Sequence, residues 1–252
     1  CAFVLAAIPG PAGLARTVRA APFVWDAARD PRALRVGYFK AAFDAPERNS
    51  ATPPRVVRPA KAADDHALAV LKRLGIELIP VEVPDVDTSI STLILNAEAG
   101  AAFEDITIDG RVNQMVQQHA FAWPNTFRAA QFIPAVDYVN ANRARMKMMQ
   151  AWWELFRKVD VIVTPTGGTN QLTATNLTGN PAVILPHGFV ESGPLQRPPG
   201  APADSIPQPS PRPQVPVSLT FLGGLFDEAR VLTVAKAFQD ATDFHLRRPP
   251  GF

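Results

Sequence analysis

The apolar positions of this chain alternate between two periods. LRVGYF (Leu34–Phe39) is a short, apolar, β-prone run that predicts a strand. In DDHALAVLKRLG, Ala67, Leu68, Leu71 and Leu74 fall on one helical stripe, with Asp64 or Asp65 placed to cap the N-terminus and Gly75 to stop the helix. IELIPVEVP (Ile76–Pro84) then alternates apolar with polar, as a half-buried strand does. Strand, helix and strand in this order predict a parallel pair joined by a crossover helix.

The same reading continues along the chain. Residues from Ser91 to about Phe103 form a second amphipathic helix, and Val136–Lys158 the longest one. In the longest, Val139, Met146, Met149, Trp153 and Phe156 lie along one face, while Arg143, Gln150, Glu154 and Arg157 lie elsewhere. DVIVTPT (Asp160–Thr166) predicts a buried strand ending in a proline turn, and PAVILP (Pro181–Pro186) and VPVSLTFLG (Val215–Gly223) predict two more. TATNLTG, from Thr173, reads as an irregular polar turn feeding the first of these. FDEARVLTVAKAFQDAT is a closing helix with acids at its start, where the helix dipole favours them. CAFVLAAI, closed by Pro9-Gly10-Pro11, looks like the end of a buried helix, and residues 11–33 and 40–62 read as connections. Helices between strands place the chain in the α/β class.

Composition narrows the partners. A net charge of +2 gives no reason to expect nucleic acid or an anionic membrane. The basic run Arg143, Arg145 and Lys147 is interleaved with Met146, Met148 and Met149 and reads as a solvated helix face. One cysteine, Cys1, excludes an internal disulfide framework. No apolar run approaches the roughly 20 residues of a membrane-spanning helix. Nine of the 26 prolines fall between Pro194 and Pro216; proline cannot donate to a strand ladder, so 194–216 reads as a surface loop. The opening residues look like a helix cut in the middle, so an upstream part is expected to be missing. Localisation cannot be read from such an end, and a cytoplasmic setting is only weakly favoured.

The chemical inventory is sparse. His66, His119, His187 and His245 are scattered, with no metal-ligand spacing and hence no metal site expected, and no G-x-S-x-G nucleophile turn occurs. His187, in LPHGF, reads as a loop residue bonded to backbone rather than a general base. Asn176 either donates to a substrate or satisfies its own turn. Arg128, in NTFRAAQF, either clamps a carboxylate or carbonyl or is solvated. Thr164, Thr166 and Thr169 either line a crevice or form the turn after a strand.

In order along the chain, DVIVTPT, NLTGNPAVILPHGF and VPVSLTFLGGLFDEARVLTVAKAFQDAT resemble the C-terminal half of the amidase signature family. NTFRAAQFIPAVDYVNANRARMKMMQAWWELF and ALRVGYF resemble further parts of it. The resemblance implies an α/β/α fold with a mixed central sheet flanked by helices, and residues 1–252 as the C-terminal portion of one such domain. It implies cleavage of a carboxamide C–N bond by a Ser–cis-Ser–Lys triad, without a cofactor. It places that triad upstream of Cys1, so no catalytic residue is assigned here and the isolated chain is expected to be inactive. It leaves Arg128, Thr169 and Asn176 as candidate substrate-binding residues. In the glutamine-using branch an Asp grips the substrate where Thr169 falls, which favours a general amidase. The partners it implies are a small-molecule amide and the remaining half of the enzyme; a homodimer stays open. The alternatives are an A-type subunit of an aminoacyl-tRNA amidotransferase and a non-catalytic interaction module using the Pro-rich loop. A missing half also predicts bare apolar surface, with Val36, Val161 and Val183 affected.

Overall fold

The computed structural model describes residues 1–8, 10, 23–45, 60–167, 169–192, 210–211 and 213–248. Most of the Pro-rich 194–216 segment lies outside them. The elements in chain order are α1 (Ala2–Ala7), β1 (Val36–Phe39), α2 (Lys40–Asp44), α3 (Lys61–Arg73), β2 (Leu78–Val81), α4 (Ile90–Ala102), α5 (Glu104–Ile108), α6 (Trp123–Ala130), α7 (Ala135–Phe156), β3 (Val161–Pro165), α8 (Gln171–Thr178), β4 (Ala182–Glu191), β5 (Gln214–Gly223) and α9 (Glu228–Asp240). The chain divides into two compact units, one of 1–83, 156–172 and 179–252, the other of 84–155 and 173–178.

The first unit holds a mixed five-stranded sheet in the order β2-β1-β3-β5-β4. β1 runs parallel to both β2 and β3, and β5 runs antiparallel to both β3 and β4. The predicted strand–helix–strand unit is therefore present, as β1, α3 and β2. Val36, Val161, Val163, Leu219 and Phe221 of the sheet pack with Ala67, Val70 and Leu71 of α3 and with Val231, Val234 and Phe238 of α9. Burying each large aliphatic or aromatic side chain of this kind contributes about 1.5–3 kcal/mol. β3 is buried at all five positions because a strand paired on both sides and covered by helices has no solvent face.

Asp160, the residue before β3, ties its start to β1. It accepts Arg35 N–H at 2.9 Å, Arg35 Nε–H at 3.3 Å and Arg35 Nη2–H at 3.0 Å, and Arg230 Nη1 lies 3.5 Å from it. The aspartate of DVIVTPT thus acts as a clamp between neighbouring strands.

The second unit is helical. In it α4 packs on α6 so closely that a Cβ on Gly100 would stand 2.5 Å from Ala130 Cβ. α7 buries Ala141, Met148, Trp152 and Leu155.

Several expectations change. Val36 and Val161 are fully buried rather than bare, and Val183 is half-buried, because helices α3 and α9 already cover the sheet. The sheet is open instead at its β4 edge, where Ile184 is 50% exposed, and further exposed apolar side chains lie on helices and loops. α1 forms but buries no residue, against the expectation of a buried helix end. On α7 the expected face is only partly covered: Val139, Met146 and Trp153 are exposed and Met149 and Phe156 half-buried, while the neighbouring stripe Ala141, Met148, Trp152 and Leu155 is buried, since the helix is apolar on more than one side. Residues 40–44, expected as loop, form α2, and α3 starts at Lys61, so Asp64 lies inside it rather than capping it. TATNLT is helical, not an irregular turn: α8 runs to Thr178 and stops at Gly179, whose φ of 79° is the left-handed conformation that glycine adopts without a Cβ penalty. Among the described residues no helix is long and apolar enough to cross a membrane.

Candidate functional site

In the second unit a cavity of about 280 Å3 lies between α4, α7 and the 173–178 part of α8. Ile94, Leu95 and Leu177 give it an apolar wall, and Ser91, Thr92, Thr173 and Asn176 bring hydroxyls and an amide. Glu98 and Arg145 also line it. Helical spacing sets this lining: Ser91, Leu95 and Glu98 are successively four and three residues apart on α4, and Asn176 and Leu177 follow Thr173 by three and four on α8.

Arg145 is held in place by its Nε–H, which donates to Leu177 O at 2.5 Å, in the last turn of α8 where a helix leaves carbonyls unpaired. Tyr138 O–H donates to Glu98 Oε1 at 3.2 Å. The cavity therefore combines an oriented cation, an oriented carboxylate and neutral polar groups beside an apolar wall, a set suited to a small polar organic molecule.

Of the three sequence candidates, only Asn176 lines this cavity, and its side chain is exposed. Arg128, on α6 in the same unit, donates through Nη2 to Asn113 Oδ1 at 2.6 Å and is partly exposed. Thr169 belongs to the other unit and spends its hydroxyl locally. It donates to Gln171 Oε1 and accepts Gln171 N–H at 3.2 Å, which closes the turn into α8. Thr166 and Thr220 bond each other through their hydroxyls at 2.7 Å. Gln171 is fully buried, and its Nε2 has no partner among the described residues.

His187 departs from its sequence reading as a loop residue bonded to backbone. It lies within β4, next to a register shift between Pro186 and Gly188, and is buried with Nε2 at 2.8 Å from Asp64 Oδ1 of α3. A buried His and Asp are brought together by tertiary pairing of β4 with α3, which local sequence cannot reveal.

Sequence reasoning missed Arg145 and Glu98. Arg145 carries the signature of a solvated face, and only the partner helix shows otherwise. Among the described residues no group of three or more His, Cys, Asp or Glu side chains converges as a metal site would require. Outside the cavity, Asp160 is a partly buried carboxyl held between two arginines. Partial burial opposes its charge, but the hydrogen bonds and charge of Arg35, aided by Arg230, hold its carboxyl below the usual carboxylate range.

A family model, Amidase, matches residues 5–232. The chain is 29% identical over 246 residues to the A-type subunit of glutamyl-tRNA(Gln) amidotransferase from Ralstonia nicotianae, an alignment covering 89% of this chain and 47% of that relative. It thus spans about half the length of the curated relatives it matches. Among solved structures, 6-aminohexanoate cyclic dimer hydrolase complexed with substrate superposes with a TM-score of 0.64 at 17% identity, covering 99% of this chain and 54% of that one. A bacterial aryl acylamidase of the amidase signature enzymes superposes with a TM-score of 0.55 at 12% identity, covering 91% of this chain and 50% of that one. These likenesses establish the fold.

Proposed function

This chain belongs to the amidase family, and from that premise we propose that it is the C-terminal part of an amidase-signature hydrolase that cleaves a carboxamide C–N bond. The observation that carries the reading is the family match over 5–232, supported by the mixed sheet and its flanking helices.

In the proposed reaction a serine attacks the amide carbonyl, and a neutral lysine, acting through a bridging serine, takes the proton and returns it to the departing nitrogen. Water then releases the acyl group as a carboxylic acid. The proposal assigns that triad to the half of the family fold not represented in these residues. The part played here is structural and spatial. β3 and β5 lie inside the sheet, Arg128 and Asn176 contribute pocket wall from the helical unit, where Asn176 lines a cavity, and Thr169 is a separate candidate substrate contact of the first unit. The partners are then a small amide and the rest of the amidase polypeptide.

The test is ammonia release from simple alkyl and aryl amides, measured for this chain alone and for the product of the longest reading frame that contains it. The longer product is expected to be active and this chain inactive. Turnover by this chain alone would overturn the placement of the triad.

A second reading, an A-type subunit of an aminoacyl-tRNA amidotransferase, is favoured by the 29% identity to a protein of that kind. Thr169 weighs against it, because a hydroxyl committed to Gln171 does not grip an α-ammonium group. Ammonia release from glutamine by the longer product, and none from alkyl or aryl amides, would favour it.

A further inference from the structure

We propose that the cavity lined by Arg145, Glu98 and Asn176 is a binding site for a small organic monocarboxylate with an apolar tail, recognised by the Arg145 guanidinium. Arg145 brings a charge that the fold leaves unused. A guanidinium carries five N–H donors in a planar fork. One of them, Nε–H, goes to Leu177 O, and no carboxylate of the described residues forms an ion pair with Arg145. The single bond to a helix-end carbonyl locks the side chain's direction and leaves the two terminal nitrogens for a ligand. An arginine fixed in this way has already lost much of the rotamer freedom that binding would otherwise cost.

The neighbours select the ligand class. Ile94 and Leu177 are buried, and with Leu95 they offer a surface for an apolar tail. Thr173 and the Asn176 amide stand on the same α8 segment as the carbonyl that holds Arg145, so their donors can share the ligand oxygens. A carboxylate suits a guanidinium fork because two parallel N–H···O bonds can form. Glu98 lines the same cavity, so a second negative charge on the ligand would be repelled. The cavity of about 280 Å3 limits the tail to a few carbons or one ring. All of these groups belong to the helical unit.

The test is calorimetric titration of the full chain with butanoate, butanamide, butylamine and succinate. Butanoate is expected to bind at least about tenfold more tightly than the amide or the amine, the range of one charge-assisted contact. Succinate is expected to bind more weakly than butanoate. Arg145→Met should abolish the preference for butanoate, and Arg145→Lys should keep only part of it, since a point charge lacks the fork. Glu98→Gln should narrow the gap between butanoate and succinate. Should Arg145→Met fail to fold, the Arg145→Lys and Glu98→Gln results decide. Equal binding of all four probes, or an unchanged preference in these variants, would overturn the site. Asn176 is shared with the pocket wall of the amidase reading, but the readout here is binding without turnover, whereas that reading is tested by ammonia release, so the failure of one is told apart from the failure of the other.

Discussion

Asp64 and His187 are 123 positions apart in the chain and 2.8 Å apart in the fold, with both side chains sealed from solvent. Their bond pins β4, an edge strand of the sheet, to α3, whose other buried residues pack into the main core. The contact is made through Nε2 alone; Nδ1 is buried and has no partner among the described residues.

Truncating either partner should therefore leave the other, a buried polar group, short of one hydrogen bond. His187→Ala and Asp64→Ala are each expected to destabilise the chain by about 2–4 kcal/mol, between the loss of a charged hydrogen bond and that of a buried ion pair. The double variant should cost less than the sum of the two. Urea midpoints of the three variants give the coupling, and strict additivity would show that the pair does not act as one.

Asp160 gives a pH prediction whose sign follows from its environment. Burial acts to raise its carboxyl pKa, but the hydrogen bonds and charge of Arg35 outweigh that effect and hold it below the ordinary value. The contribution to stability is therefore complete above the unfolded carboxylate pKa of about 3.9 and is lost as the pH falls through the lower folded value. Asp160→Asn should destabilise the protein near neutrality by about 1–3 kcal/mol. The variant should also show a shallower loss of stability on acidification below about pH 4 than the parent. Equal slopes in that range would assign acid sensitivity to other carboxylates.

How much of this is legible in the sequence follows from the range of the forces involved. β3 is legible because a strand covered on both faces needs an unbroken apolar run, which VIV supplies, and β1 and β5 because VGYF and VSLTFL are short runs rich in β-branched and aromatic residues. α3 is legible from its stripe, yet the role of Asp64 is not: an acid in the first turn looks like a cap, and its partner comes from β4. α8 escapes notice because TATNLT has no apolar period to mark it as a helix. The buried side of α7 cannot be chosen from the pattern, because the helix offers apolar residues on several sides and only packing decides among them. Asn176 stands out in the sequence and does line a cavity, whereas Arg145, the cation opposite, carries only the pattern of a solvated helix face.

Gly100 tests the helix packing of the second unit. Alanine in the middle of α4 would gain about 1 kcal/mol in helix propensity. Its methyl would meet Ala130 Cβ at 2.5 Å, and both atoms sit close to backbone that cannot turn aside. Overpacking of that kind costs about 1–3 kcal/mol, so Gly100→Ala is expected to be neutral to destabilising, by up to about 2 kcal/mol. Gly100→Ala combined with Ala130→Gly should recover stability relative to Gly100→Ala alone. A stabilised single variant in thermal unfolding would show that α4 and α6 are not in contact as described.

The exposed apolar side chains of the second unit give the last prediction. Phe121 is 94% exposed, Phe132 85% and Trp153 59%, with Met146 of α7 also open to solvent. Isolated apolar residues are ordinary on a surface, but aromatic rings this open on a helical unit are a liability for a chain in water. If the proposed remainder of the amidase fold covers them, the chain by itself should self-associate and bind a hydrophobic dye. Replacing Met146 and Trp153 with Gln and Phe132 with Ser should then reduce both behaviours. Since none of the three is in the core of this chain, its unfolding free energy should change by no more than about 0.5 kcal/mol per site. In the longer polypeptide the same changes should cost about 2–5 kcal/mol at any residue that becomes buried. Light scattering and urea unfolding on both lengths of chain separate the cases: an equally small cost in the longer polypeptide would mean that this face stays open there too.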